Sequence, residues 1–118
     1  MAHPGGNPAP LNLINVPTPG TPVRITVNIT GAATSGIIPG VISARKVTFK
    51  AKSGNVGVVY VGYSGMVKAS GAKVLFDLSP GEGFVLEAAV SENPYNVLDF
   101  YVDADQANDK LYAFFEAH

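Results

Sequence analysis

The chain contains no cysteine and no tryptophan, has two histidines, and is only 14% charged over its 118 residues. Without cysteine there is no disulfide staple, thiolate metal site or cysteine nucleophile, so the core alone must hold the fold, and cysteine usage says nothing of a redox compartment. His3 and His118 stand near the two ends, so a Ser-His-Asp arrangement would need a terminus folded back. A net charge of −1 and a pI near 6.0 lack the basic excess that phosphate binding requires, which excludes a protein devoted to nucleic acid. No apolar run approaches the ~20 residues of a membrane helix. The start, Met1-Ala2-His3-Pro4-Gly5-Gly6, has neither the basic nor the apolar region of a secretory signal. These absences imply one soluble domain made in a cytoplasm, with no cofactor and no nucleic-acid or membrane partner.

Acids are also missing from residues 1–76, which hold seven of the eight basic side chains (Arg24, Arg45, Lys46, Lys50, Lys52, Lys68 and Lys73). All nine acids lie from Asp77 to Glu116, with Lys110 the one base among them. Such asymmetry points to an interaction surface unless the fold interleaves the two halves. Proline is uneven too: six of nine fall at positions 4, 8, 10, 17, 19 and 22. That stretch disfavours helix and tends to extended polyproline-like conformation. Residues 1–21 therefore read as an extended N-terminal arm and residues 22–118 as the folded domain. The arm carries no Asp, Glu, Lys or Arg, and Leu11, Leu13, Ile14 and Val16 give it an apolar stripe with which to lie on a partner.

After Pro22 the chain becomes short alternating runs broken by Gly, Asn and Pro, the pattern of strands and turns. Candidate strands are Val23–Ile29, Lys46–Ala51, Val58–Gly62, Met66–Ala69, Val74–Leu78, Phe84–Val90, Val97–Val102 and Lys110–Glu116, with a helical turn conceivable over Asp103–Asn108. Residues 30–44 read as a long, nearly uncharged loop. The expected fold is all-β: an antiparallel β-sandwich or jelly roll of about eight strands with the N-terminal arm. Its expected core is Phe49, Tyr60, Phe76, Phe84, Leu98, Phe100, Leu111 and Phe115.

Chemistry-bearing patterns are few. Gly62-Tyr63-Ser64-Gly65-Met66 resembles a nucleophile elbow only in part, since Met66 replaces the last glycine and no strand-to-helix turn follows; a tight turn is the plainer reading. Asp103, Asp105 and Asp109 are spaced so that carboxylates can meet a hard cation, but Ala107, Asn108 and Phe114 break the EF-hand pattern. Both a looser calcium or magnesium site and a solvated acidic connection stand at this level, and no metal site is assigned. In the run Arg45 to Lys52, alternation places Lys46, Lys50 and Lys52 on one strand face opposite Val47, Phe49 and Ala51. That face is either an exposed, aggregation-resistant surface or a positive patch for an acidic partner. Tyr63, Tyr95, Tyr101 and Tyr112 are candidate stacking residues for a carbohydrate-binding module.

The succession Lys46-Val47-Thr48-Phe49-Lys50-Ala51, Val59-Tyr60-Val61-Gly62, Leu78-Ser79-Pro80-Gly81-Glu82, Val97-Leu98-Asp99-Phe100-Tyr101-Val102-Asp103 and Asp109-Lys110-Leu111-Tyr112-Ala113-Phe114 resembles small β-sandwich structural proteins of tailed bacteriophage virions. The resemblance spans residues 45–115 and is a cadence of strands and turns, not a catalytic signature. It implies a non-enzymatic virion component of the capsid decoration, or cement, type. Such a protein would sit on the outside of the capsid, bind the major capsid protein and stabilise the shell by clamping neighbouring subunits, preferably as a homotrimer. A collar, tail or head-fibre protein is the alternative within the same resemblance.

Overall fold

The computed structural model describes residues 11–25, 43–88 and 95–117. They form β1 (Leu11–Val16), β2 (Val23–Arg24), β3 (Ser43–Ala51), β4 (Val59–Val67), β5 (Ala72–Leu78), β6 (Gly83–Glu87), β7 (Tyr95–Asn96), β8 (Phe100–Ala104) and β9 (Asp109–Ala117). One sheet runs β1-β9-β3-β6, with β7 also paired to β3, and the other runs β2-β8-β4-β5. Every pairing is antiparallel, and the sheets pack face to face as a sandwich, the class that short alternating runs imply.

The core between the sheets is built from small and β-branched residues: Val16, Val47, Val59, Val61, Val97 and Val102 are essentially sealed, as are Ala44, Ala51 and Ala104. Aromatic rings thread through it. Phe49 meets Phe100 at 5.3 Å and Phe76 at 5.4 Å between ring centroids, and Phe76 stacks on Phe84 at 4.3 Å. Of the expected core, Phe49, Phe100, Leu111 and Phe115 are buried, and Phe76 and Leu98 pack against it from partly buried positions. Tyr60 instead faces outward between the buried Val59 and Val61. Phe84 points inward in register with Phe49 but remains exposed, because β6 is the last strand of its sheet.

The arm needs correction. Pro10 and Pro17 bracket a proline-free stretch, Leu-Asn-Leu-Ile-Asn-Val, that has a full set of N–H donors and alternating apolar side chains. It forms β1 and pairs along its whole length with β9, Leu11 opposite Phe114 and Val16 opposite Asp109. Ile14 and Val16 enter the sandwich's own core, so they are not surface contacts for a partner. Residues 1–10 lie outside the described residues. Past Pro17 a turn closed by Thr21 N–H donating to Thr18 C=O (3.1 Å) leads across to β2.

Other boundaries shift for local reasons. Val23–Ile29 begins as the two-residue β2, with Ile25 still bonded to Phe100; residues 26–42, including most of the expected 30–44 loop, lie outside the described residues, and Ser43 already belongs to β3. The expected strands Val58–Gly62 and Met66–Ala69 are one strand, β4, with residues 63–66 forming a bulge rather than a hairpin turn. Glycine is required at 62, because a Cβ there would collide with the Lys73 carbonyl and stand 3.0 Å from Val74 Cα. Val97–Asp99 is a 3-10 turn, capped by the Asn96 side chain accepting from Leu98 N–H at 3.1 Å, and β8 starts only at Phe100. No helical turn forms over Asp103–Asn108.

Candidate functional site

The outer face of the β1-β9-β3-β6 sheet gathers most of the residues that the sequence singles out. Outward positions align across strands: Leu13, Tyr112 and Lys50 form one row, and Phe114, Thr48 and Val85 the next. Leu13 and Val85 are about half exposed, Tyr112 and Phe114 half-buried. The result is an apolar and aromatic strip across the sheet, with Lys50 exposed within it. Lys46 lies one row further, in register with Glu87, a residue of opposite charge on the neighbouring strand. Lys52 continues the alternation past the strand end, but its ammonium lies over the following turn, 3.7 Å from where a Cβ would stand on Gly54. The structure thus brings Leu13, Lys46 and Lys50 onto one face and directs Lys52 over its own turn. Leu11 belongs to β1 by backbone pairing.

The three aspartates do not converge. Asp103, buried beneath the turn after β1, accepts from Gly20 N–H at 2.9 Å and Ala104 N–H at 2.7 Å. Asp109, also buried, accepts from Val56 N–H at 3.0 Å and Gly57 N–H at 2.8 Å, fastening the β3–β4 connection beneath the end of the sandwich. Beside it the Asn55 amide imitates a strand, donating to Lys110 C=O and accepting from Lys110 N–H, both at 2.8 Å. Asp105 accepts from the Lys68 ammonium and the Tyr60 hydroxyl, each at 2.9 Å. The Lys68 bond holds the Asp105 carboxyl below the usual carboxylate range, and the Tyr60 bond reinforces it against partial burial. Tyr60 is pushed up, first by burial and then by donating to that carboxylate. Each aspartate therefore serves a different fastening, and among the described residues no group of three or more His, Cys, Asp or Glu side chains is placed to hold a metal ion.

The tyrosines also disperse. Tyr63 and Tyr95 flank Phe100 at 5.7 and 6.3 Å, whereas Tyr101 lies on the outer face of the β2-β8-β4-β5 sheet and Tyr112 on that of the other. Ser64 sits in the exposed β4 bulge, and the chain continues from it as strand to Val67 rather than turning into a helix. Sequence reasoning missed the apolar strip itself, although Tyr112, Phe114, Thr48 and Val85 each occupy the alternate positions of readable strands; what was missing was the register that aligns them. Among the described residues no helix is long and apolar enough to cross a membrane. Comparison with protein-family models, curated proteins and solved structures finds no match.

Proposed function

We propose that this chain is a capsid decoration protein of a tailed phage, seated on the outside of the virion through the outer face of the β1-β9-β3-β6 sheet. The observation that carries the reading is the strip of Leu13, Tyr112, Phe114 and Val85 with Lys50 set within it. Apolar area of this kind, bordered by charge, is the usual mark of a protein–protein contact. The mechanism is area and multivalency rather than bond chemistry. Each homotrimer presents three such faces to neighbouring capsid subunits, and modest single contacts add through effective concentration. The strand-and-turn cadence of residues 45–115 supports a virion component over an enzyme.

The test is co-sedimentation of the purified chain with undecorated heads of the virus that encodes it. Wild type is expected to bind saturably at a fixed, high copy number per head. Tyr112→Glu and Lys50→Glu, both in the middle of the sheet, should weaken binding at least about tenfold. Failure of wild type to bind heads, or equal binding by all three proteins, would overturn the proposal. A handful of copies located at the neck or tail would assign the chain to a collar or tail role instead.

A further inference from the structure

Among the described residues each sheet ends in two open edges, β1 on one side and β6, continued along β3 by the two-residue β7, on the other in the first sheet, and β2 and β5 in the second. Both paths contain four strands with antiparallel neighbours, so their first and last strands run in opposite directions. A second copy placed alongside in the same orientation therefore sets its β1 antiparallel to β6 of the first, and its β2 antiparallel to β5. We infer that copies of this chain associate head to tail in this way, the β1/β2 side of one against the β5/β6 side of the next, with the β1-β9-β3-β6 sheet continuing into its neighbour.

Three observations carry this. Edge strands that must stay single carry charge, proline or a bulge, yet β1 has none of these in its six residues, and β6 has five residues with a charge only at Glu87. The exposed apolar side chains match: Leu13 (50% exposed) and Val85 (47%) both point to the outer face, one row apart, and become diagonal neighbours across the junction, while Phe84 (42%), stacked on Phe76, becomes covered. Charge decides the pairing. In residues 11–25 the only charged side chain is Arg24, whereas β5, β6 and their connection carry one lysine, Lys73, against three carboxylates, Asp77, Glu82 and Glu87. Arg24 and Asp77 are both exposed on the outer side of the β2-β8-β4-β5 sheet, so they approach each other across the junction. A two-fold β1–β1 contact would set Arg24 near its own copy and leave the acidic side unmatched. Head-to-tail contacts close into a ring or run on as a filament. This contact leaves the middle of the sheet face free and does not depend on a capsid as partner.

The natural absence of cysteine makes the test direct. Full-length Leu13→Cys and Val85→Cys variants, one carrying a mass tag, are mixed and joined with a short bis-maleimide. Random encounter gives half mixed dimers; the inference expects about nine-tenths mixed dimers and few Leu13→Cys self-dimers. A statistical mixture, or a majority of Leu13→Cys self-dimers, overturns it. Sedimentation velocity supplies the second arm: Asp77→Arg should weaken wild-type association about tenfold, and Arg24→Asp with Asp77→Arg in one chain should restore it. A wild type that stays monomeric at millimolar concentration, or a double variant no better than the single, also overturns it. Head binding by a protein that fails these tests would leave the proposed function standing alone.

Discussion

Leu13 and Ile14 are adjacent, similar in size and equally apolar, yet β1 gives them opposite environments. Ile14 is 4% exposed and in register with the fully buried Leu111; Leu13 is half exposed on the outer face. Truncation to alanine removes three carbons in either case. At ~0.8 kcal/mol per buried CH2, Ile14→Ala loses about 2.4 kcal/mol of transfer free energy, and the cavity raises this to about 3 kcal/mol. Leu13→Ala removes atoms that are half solvated and leaves no cavity, so its cost is about 1 kcal/mol or less. Urea unfolding at low micromolar concentration keeps self-association out of the measurement. With an m-value of about 1.5 kcal/mol/M, the midpoint should fall about 2 M for Ile14→Ala and less than about 0.7 M for Leu13→Ala, at unchanged m. Equal shifts for the two alanine variants would refute the placement of β1 as a sheet strand with Ile14 inside.

Asp109→Asn should cost about 2–4 kcal/mol, because two backbone donors lose a charged acceptor and the new NH2 faces an N–H; hydrogen exchange should accelerate at Val56 and Gly57 beyond the global change, and uniform acceleration would show that the carboxylate does not hold that loop. Lys68→Met tests the exposed pair with Asp105. The Asp105 pKa is lower in the folded chain than its ordinary value of 3.8, so the pair's stabilisation is present above about pH 4 and is lost as pH falls through the folded value. Wild type should exceed Lys68→Met by about 0.2–1 kcal/mol at pH 7, with the gap closing toward pH 2 and in 1 M salt; a gap constant from pH 7 to pH 2 would exclude the Asp105 partnership.

Periodicity made the strands readable but did not carry their surroundings. Lys46–Ala51 alternates cleanly and lies within β3 with the expected faces. Phe84 alternates equally well and points inward as expected, but alternation specifies a face and not what covers it; at the last strand of a sheet an inward ring remains exposed. β1 was masked because Pro10 and Pro17 give the whole segment the composition of an extended arm, while the six residues between them keep every ladder donor. Tyr63-Ser64-Gly65 has the residues of a turn because a bulge uses the same backbone freedom, with Gly65 at φ +84°. Asp109 had no local signal for its role: its partners, Val56 and Gly57, lie 53 and 52 residues away in the chain, and only the assembled sandwich brings them together.

The charge polarity of the sequence follows the same logic. Apart from the β4–β5 hairpin, every pairing among the described residues joins a strand from the acid-free part of the chain to one from the acid-bearing part: β1 with β9, β2 with β8, β3 with β6, β7 and β9, β4 with β8. Unlike charges thereby become neighbours, as at Lys46 beside Glu87 and at Lys68 on Asp105. Interleaving cancels the polarity in the middle of the sandwich but cannot do so at its sides, where β1 and β2 come from the start of the chain and β5 and β6 from the point where acids begin. What survives runs across the width of the molecule, from Arg24 to the Asp77, Glu82 and Glu87 side. A polarity with that direction cannot be satisfied by a two-fold contact between like sides, and it is satisfied at every junction of a head-to-tail ring.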